Sequence, residues 1–450
     1  MNDKKYSRRE FLKQNSMAGL GAAAAMALPG GNVLNYMTRK HDTPALLGGN
    51  PVVSPDWPEW PRWYPEKDEQ RLLEVMRSGV WSRSDVVAEF EQEWAKTIGT
   101  ERCLALVNGT NALQTSLAQL DVGWGDEVIV SPYTFIASVS SILANGAIPV
   151  FVDTDPETFQ MDPAQIEEKI TPHTKAIEPV HIAGLPCDME RIMEISEKHD
   201  LAVVEDACQA WLAEINGQKV GTFGHAGCFS FQNSKNLPIG EGGAIVSDDE
   251  EFMDRCYSYH NYGNPYGSAE GRVGTKLRMA EYQAAIGLAQ LKRLEEETTL
   301  RNENAAYLKA RMEEIPGISP YKLYPNVTRA AFHLFPFRYN KEEFKGLTRS
   351  KFLQALRAEG VPCSSGYGEL NKQPFIKNAL QSPNFKKFYS EDQLNYEAFL
   401  ERNACPRNEQ LCNEEAAWFT QNILLGSKND MDLIASAIEK IHKNAEDLKE

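Results

Sequence analysis

The sequence carries eight cysteines but no Cys-x-x-Cys spacing, so a structural zinc site built from paired thiolates is not expected. Most of these thiols stand in apolar text, as in "EDACQA" and "AGCFSF", and read as buried free cysteines. Positive charge is short. Against 63 aspartates and glutamates there are 47 lysines and arginines, and the resulting net charge of −16 argues against a nucleic-acid-binding surface. No apolar run is long and strong enough to span a bilayer. No Gly-x-Gly-x-x-Gly follows a first strand, which disfavours a nicotinamide cofactor. The "GEGG" at 240–243 has no Lys-Ser or Lys-Thr behind it and is not a P-loop; it reads as a turn that allows close backbone approach. Internal repeats and low-complexity segments are also missing.

What is present is 450 residues of ordinary globular composition, 42 % hydrophobic and 24 % charged. That length is too great for one small core and implies two domains or one large one. Residues 1–27 are a different kind of text. "KKYSRREFLKQNSMAGLGAAAAMAL" has a basic start, the pair Arg8-Arg9, then Phe11, Leu12 and Lys13, and a mild Gly/Ala-rich run. This is the layout of a twin-arginine export signal, and Ala25-Met26-Ala27 fits a small-x-small cleavage site. The mature chain is expected to begin near Leu28, in the periplasm or on its membrane face, delivered by the twin-arginine machinery. That route carries folded proteins, which suits an enzyme that takes up a cofactor before export. An uncleaved signal that tethers the enzyme is one alternative, and a helical arm with a chance Arg-Arg is the plainer one.

Residues 28–65 form a Pro- and Trp-rich lead whose prolines at 51, 55, 58, 61 and 65 forbid a long helix. Its tryptophans are expected to bury against the main domain or a partner subunit. From residue 66 to 300 the pattern alternates. "DEQRLLEVMRSG" and "VVAEFEQEWAKTIG" read as amphipathic helices closed by glycine. "CLALVNGTNALQTSLAQL", "DEVIVSPYTFIASVSSILANGAIPVFVD", "KAIEPVHIAG", "LAVVEDACQA" and "AGCFSFQNS" interleave short apolar strands with helices. An α/β domain with a mostly parallel sheet and helices on both faces follows, with its ligand site at the carboxyl ends of the strands. Thr110, Tyr133, Phe135, His181, Asp206 and Ser230 fall at those ends. One long helical stretch, ending at "ARMEEI", leads into residues 301–450, which read as a smaller α+β domain.

Lys235 stands in "FSFQNSKNLPIGEGGA", a stretch otherwise written for burial. A lysine there either points outward or does covalent chemistry. Asp206 ends the apolar strand "LAVVED", where a carboxylate is rare unless paired. Together they match the needs of pyridoxal phosphate: an amine for its aldehyde and an acid opposite its ring nitrogen. Equally open is a surface lysine beside an aspartate that caps the next helix. "NGTNAL" is a Gly-bearing strand-to-helix turn whose amides, with Thr110, can hold an anion, and Ser230 can add a hydroxyl. Phe135 could stack on a planar ring or simply belong to the core.

Taken in order, "NGTNAL", "GDEVIVSPYTFIAS", "GAIPVFVDTD", "VEDACQA", "FSFQNSKNLPIGEGGA", "HNYG" and "GTKLRMAEYQAAIGLAQL" resemble the DegT/DnrJ/EryC1/StrS sugar aminotransferases. The resemblance covers about residues 45 to 445. It implies the pyridoxal-phosphate-dependent fold type I of aspartate aminotransferase, and a homodimer with shared active sites. It also makes Lys235 the Schiff-base lysine and Asp206 the partner of the pyridine nitrogen. Gln209 follows as a neighbour of the ring, Phe135 as the stacking aromatic, and Gly109, Thr110 and Ser230 as phosphate contacts. Lys276 stands where many relatives have an asparagine that reaches the phosphate from the other subunit; a lysine could make that contact as a point charge. Tyr133, His181 and His333 are the candidates for contacts to substrate hydroxyls. Some relatives replace the lysine with histidine and are dehydratases, so Lys235 favours transamination.

The lead "GGNPVVSPDWPEWPRW", the glutamine of "SFQNSK", "FHLFPFRY" and "EGVPCSSGY" are similar to the glutamine:scyllo-inosose aminotransferase branch. That branch implies glutamine as amino donor and a cyclitol ketone as acceptor. Its members work in the cytoplasm of antibiotic producers, whereas this chain carries an export signal, so a keto sugar or another polyol ketone stays open, as does glutamate as donor. A pyridoxal-dependent dehydratase or isomerase would share the cofactor residues, and a sensor on the same fold would bind cofactor without turnover.

Overall fold

The computed structural model describes residues 42–53 and 57–449; the expected export signal at 1–27 lies outside the described residues. After a single 3-10 turn at Ala45–Leu47 come two amphipathic helices, α1 (Pro65–Ser78) and α2 (Asp85–Ile98). Each stops where glycine takes the left-handed conformation, at Gly79 (φ 73°) and Gly99 (φ 89°). The start of α2 is capped from far away in the sequence. Glu281 is buried and accepts from the amides of Ser84, Val86 and Val87 at 2.7, 2.9 and 3.0 Å, which satisfies donors that the helix itself cannot.

The main sheet then builds up from β1 (Arg102–Leu106), β2 (Glu127–Val130), β3 (Ile148–Phe151), β4 (Thr174–Glu178) and β5 (Ala202–Asp206). A small excursion, β6 (Glu214–Ile215) and β7 (Gln218–Lys219), precedes β8 (Ala226–Ser230) and β9 (Gly243–Ser247). In space the order is β1-β9-β8-β5-β4-β2-β3. All neighbours from β8 to β3 are parallel, and β9 runs against both β1 and β8. The expected mostly parallel sheet is therefore present, with one reversed strand. Apolar runs without alternation follow from this arrangement, because both faces of the sheet are covered.

One face is covered by α3 (Gly109–Gln119) and α4 (Ile136–Ala144), whose Leu113, Leu117, Val139 and Ile142 pack with Val130, Ala176 and Val204. The other is covered by α2, where Phe90 and Trp94 meet Phe231 and Phe229 edge-on at 5.3 and 5.2 Å. Burying each such aromatic contributes roughly 2–3 kcal/mol, before the entropy of ordering the chain is charged. Below this face lies α5 (Met189–His199), and α6 (Glu250–His260) follows β9.

Helix α7 runs unbroken from Glu281 to Glu313, so the expected boundary between residues 300 and 301 falls inside it. Beyond it, β10 (Ile318–Pro320), β12 (Leu334–Tyr339) and β13 (Ala416–Thr420) form an antiparallel sheet with α8 (Arg349–Ala358) and α9 (Lys428–Lys443). The short β11 (Val327–Arg329) returns to pair with β6. The Pro/Trp-rich lead is strapped across this part. Glu359 accepts from the amides of Ala45 and Val52 at 2.7 and 2.9 Å and from Lys440 at 3.1 Å, and Trp57 donates to the carbonyl of Gly360 at 2.8 Å.

Candidate active site

The strand ends of β5 and β8 bring the candidate residues together. Asp206 is the last residue of β5, and it sits beside Cys228 of β8, two residues before Ser230. Its carboxylate is buried and held from two sides: Oδ2 accepts from Ser138 Oγ at 2.7 Å and Oδ1 from the amide of Cys208 at 3.1 Å. The second contact is a local turn, and no helix follows it before Glu250, so Asp206 does not cap a next helix as the alternative had it. The first reaches across from α4 and fixes the orientation of the group.

Past Ser230 the chain forms a closed loop back to β9, with Phe231 donating to Gly242 at 2.8 Å and Asn233 to Gly240 at 2.9 Å. Lys235 is half-buried in this loop, and its Nζ lies 5.9 Å from the centroid of Trp211. Burial lowers its pKa below that of an ordinary lysine, while Cys208 and Asp206 nearby offset part of that shift. Such an amine releases its proton more readily than a solvated one.

The turn at the head of α3 packs directly against these residues. Asn108 caps the helix by accepting from the amide of Asn111 at 2.8 Å, so the first amides, at Gly109 and Thr110, point out of the helix start. A Cβ on Gly109 would lie 2.8 Å from both Cys208 Sγ and Ser230 Cβ. One on Gly243 would come within 2.3 Å of the carbonyl carbon of Asn108. Both glycines are required by close approach, which is the role expected for "GEGG". The start of α3 is thus packed on Cys208 and Ser230, at the strand ends that also carry Asp206.

Around this centre the other candidates divide. Phe135 precedes α4 as its N-cap residue and stays 56 % exposed. Gln209 is pinned: its Oε1 accepts from the amide of Ala183 at 2.8 Å and its Nε2 donates to the Tyr367 hydroxyl at 2.9 Å. His333 is buried with Nδ1 3.2 Å from Asn236 Oδ1 and its ring edge-on to Trp211. Burial, then the charges of Lys235 and Arg301, push its pKa well below the usual value, so it is neutral. Tyr133 is buried with a hydroxyl that has no hydrogen-bond partner, 5.4 Å ring to ring from Tyr367. Lys276 is exposed on the 261–278 segment, bridged to Asn261.

His181 is a correction. The structure buries it completely, with Nε2 3.0 Å from Glu205 Oε2 and Nδ1 accepting from the amide of Cys187 at 3.0 Å. Glu205 in turn accepts from the amides of Gly221, Phe223 and Gly224 at 2.7, 2.7 and 2.8 Å. Both ring nitrogens are engaged inside the fold, so His181 supports the scaffold and has nothing to offer a substrate hydroxyl. Sequence reasoning also missed residues that shape the site: Ser138, Cys208, Trp211, Tyr367, and Trp60 of the lead, whose Nε1 donates to the carbonyl of Lys235 at 3.1 Å. Ser138 could have been found, one turn into the helix after "SPYTF"; Trp60 and Tyr367 come from distant chain and carry no local signal.

The sequence profile described as the DegT/DnrJ/EryC1/StrS aminotransferase family matches residues 64–399. The chain belongs to this aminotransferase family. Among its relatives is the L-glutamine:2-deoxy-scyllo-inosose aminotransferase of Streptoalloteichus tenebrarius, 32 % identical, the match covering 90 % of this chain and 99 % of that one. The spore coat polysaccharide biosynthesis protein SpsC of Bacillus subtilis is 36 % identical over 65 % of this chain and 78 % of its own length. Among solved structures, that of 3-amino-5-hydroxybenzoic acid synthase superposes with a TM-score of 0.77 at 29 % identity, over 87 % of this chain and all of that one. The aminotransferase therefore has the fold type I architecture that its sheet order and long linking helix display.

Proposed function

We propose that this aminotransferase uses pyridoxal 5′-phosphate to move an amino group from glutamine or glutamate to a ketone on a sugar or cyclitol ring. The observation that carries the reading is a half-buried lysine, Lys235, in the loop that follows β8, whose amine feels the charge of the buried and oriented carboxylate of Asp206 at the end of the adjoining strand β5. The relative named as a glutamine:inosose aminotransferase supports the donor and the class of acceptor.

The residues fit the cofactor. Lys235 would hold it covalently, Asp206 would keep a proton on its ring nitrogen, and Phe135 would cover its ring. The Gly109 and Thr110 amides with the Ser230 hydroxyl would take the phosphate at the start of α3. When bound, the group supplies an electron sink for negative charge at the donor α-carbon. The protein supplies the proton traffic. Lys235, once free, takes the proton from the donor α-carbon and later returns one to the carbon that receives the amine. Gln209, fixed by Ala183 and Tyr367, would stand beside the cofactor ring. His333, neutral, and Tyr133 would be the contacts to substrate hydroxyls.

The functional unit in this reading is a homodimer, with Lys276 reaching the phosphate of the partner's site. Exposed apolar side chains support it: Val273 is 94 % exposed, Tyr262 54 % and Trp81 49 %. Export through the twin-arginine route, with the cofactor already loaded, completes the proposal. The test is a screen of the enzyme carrying its cofactor in the amine form against keto sugars and inososes. Return of the aldehyde-form absorbance with a ring ketone is the expected result, and no response to any ring ketone would refute the acceptor class.

A further inference from the structure

Glu178 is the last residue of β4, inside an otherwise apolar strand, and it is fully buried with neither carboxyl oxygen hydrogen-bonded. An isolated carboxylate in such a place is among the most costly groups a fold can hold. Its position relative to Asp206 is fixed by the sheet. Val180 bridges to Asp206 in parallel register, so Glu178, two residues earlier, lies on the same face, one step further into the sheet. That face is covered by α3 and α4, "GTNALQTSLAQ" and "IASVSSILA", which contain no charged residue at all. On β2 its register partner is Val130, and on β8 the nearest titratable group is the Cys228 thiol. Among the described residues no cation acts on it.

We propose that Glu178 and Asp206 form a buried carboxyl pair that carries a single negative charge, Glu178 keeping the proton and Asp206 the charge. The division follows from their partners. Asp206 has two donors, Ser138 Oγ and the Cys208 amide, and a lysine nearby; Glu178 has none. Two carboxylates this poorly solvated do not both ionise. Burial first, and then the charge of Asp206, hold the Glu178 carboxyl well above the usual range. Glu178 is thus a positioning residue: its neutral form leaves the charge of Asp206 undivided, and its ionisation would oppose that charge. Its bearing on catalysis rests on the role proposed for Asp206, but its protonation does not.

Stability gives an independent reading. As pH rises past the ordinary carboxyl range, the unfolded chain releases the Glu178 proton while the folded chain keeps it, so this group makes the fold less stable with increasing pH. The experiment uses the purified full chain. Infrared spectra at neutral pH should show the carbonyl stretch of a protonated carboxylic acid that is lost in Glu178→Gln and kept in Asp206→Asn. Melting temperatures of Glu178→Gln and of the apolar Glu178→Met should gain on the wild type steadily from pH 5 to pH 8. Absence of a protonated band that depends on Glu178, or variant profiles parallel to the wild type over that range, would overturn the proposal. If Glu178→Gln does not fold, Glu178→Met decides through the same two readouts. A failure of the pyridoxal reading would show separately, as a wild type without bound cofactor.

Discussion

Trp60 Nε1 donates to the backbone carbonyl of Lys235 at 3.1 Å, and the Arg301 guanidinium lies 5.2 Å from the centroid of the same indole. Arg301 itself is fully buried, fastened to Gln421 at 2.6 Å and to Glu297 at 3.4 Å. The Pro/Trp-rich lead, strapped over the small sheet by Glu359, thereby ends as a brace on the lysine loop. Trp60→Phe removes the hydrogen bond but keeps an aromatic face, and should cost about 1 kcal/mol of stability. Trp60→Ala also removes the packing under Arg301 and should cost roughly 2–4 kcal/mol. Denaturant unfolding checks both, and a Trp60→Phe variant as stable as the wild type would mean that the indole packs without bracing.

Asp206→Asn should fold, because its amide oxygen can still accept from the Cys208 amide while its NH2 group donates to the Ser138 hydroxyl. What it loses is the charge. Stopped-flow absorbance of the half-reaction with the amino donor should slow by about 100-fold or more, while cofactor content stays near that of the wild type. A near-normal half-reaction would leave Asp206 the role of a local turn.

His260, at the end of α6, gives a pH dependence of the opposite sign to that of Glu178. It is fully buried; its Nδ1 faces the carbonyl of Tyr257 and so carries the proton, and Nε2 has no partner. Burial, aided by Arg83 and Arg278, lowers its pKa to about 4. Below about pH 6.5 the unfolded chain takes up a proton that the folded chain refuses until about pH 4. Stability should therefore fall on acidification through that window, by up to about 3 kcal/mol from this residue. Urea midpoints at pH 7 and pH 4.5 should converge in His260→Phe relative to the wild type, once carboxylate effects common to both are subtracted.

Arg8 and Arg9 carry the expectation about place. Cells expressing the wild type should hold a chain shortened to about Leu28 in the periplasmic fraction. The Arg8→Lys, Arg9→Lys double variant should remain full length in the cytoplasm. A full-length wild-type chain in the inner membrane would mean a tethered enzyme. One that is full length and soluble in the cytoplasm would end the export reading and leave the aminotransferase untouched.

The strand ends were legible because they obey local rules. An acid closing "LAVVED", a serine closing "CFS" and glycines around "NGTNAL" and "GEGG" each break an apolar run in a way that burial alone does not explain. The helices closed by Gly79 and Gly99, and the long α7, follow from periodicity and capping. What could not be read locally is which way alternate residues of a strand point. Glu205 and Asp206 are adjacent in sequence but face opposite sides of the sheet: Glu205 pairs with His181, and Asp206 turns toward Ser138 and the lysine loop. His181 looked like a polar residue at a strand end for the same reason that Asp206 did. Glu178 was hidden inside "KAIEPV", where one acid in an apolar run invites no notice until its two empty oxygens are seen. The brace from Trp60 spans 175 residues and leaves no trace in either segment.

Lys235 is the lysine proposed to hold the cofactor. Borohydride fixes the cofactor to the lysine holding it, and peptide mapping by mass spectrometry then finds that lysine in the sequence. The label is expected on the peptide containing Lys235, with no label at any position in Lys235→Ala. A label on Lys219 or Lys276, or an unlabelled wild type that was saturated with pyridoxal 5′-phosphate, would contradict it.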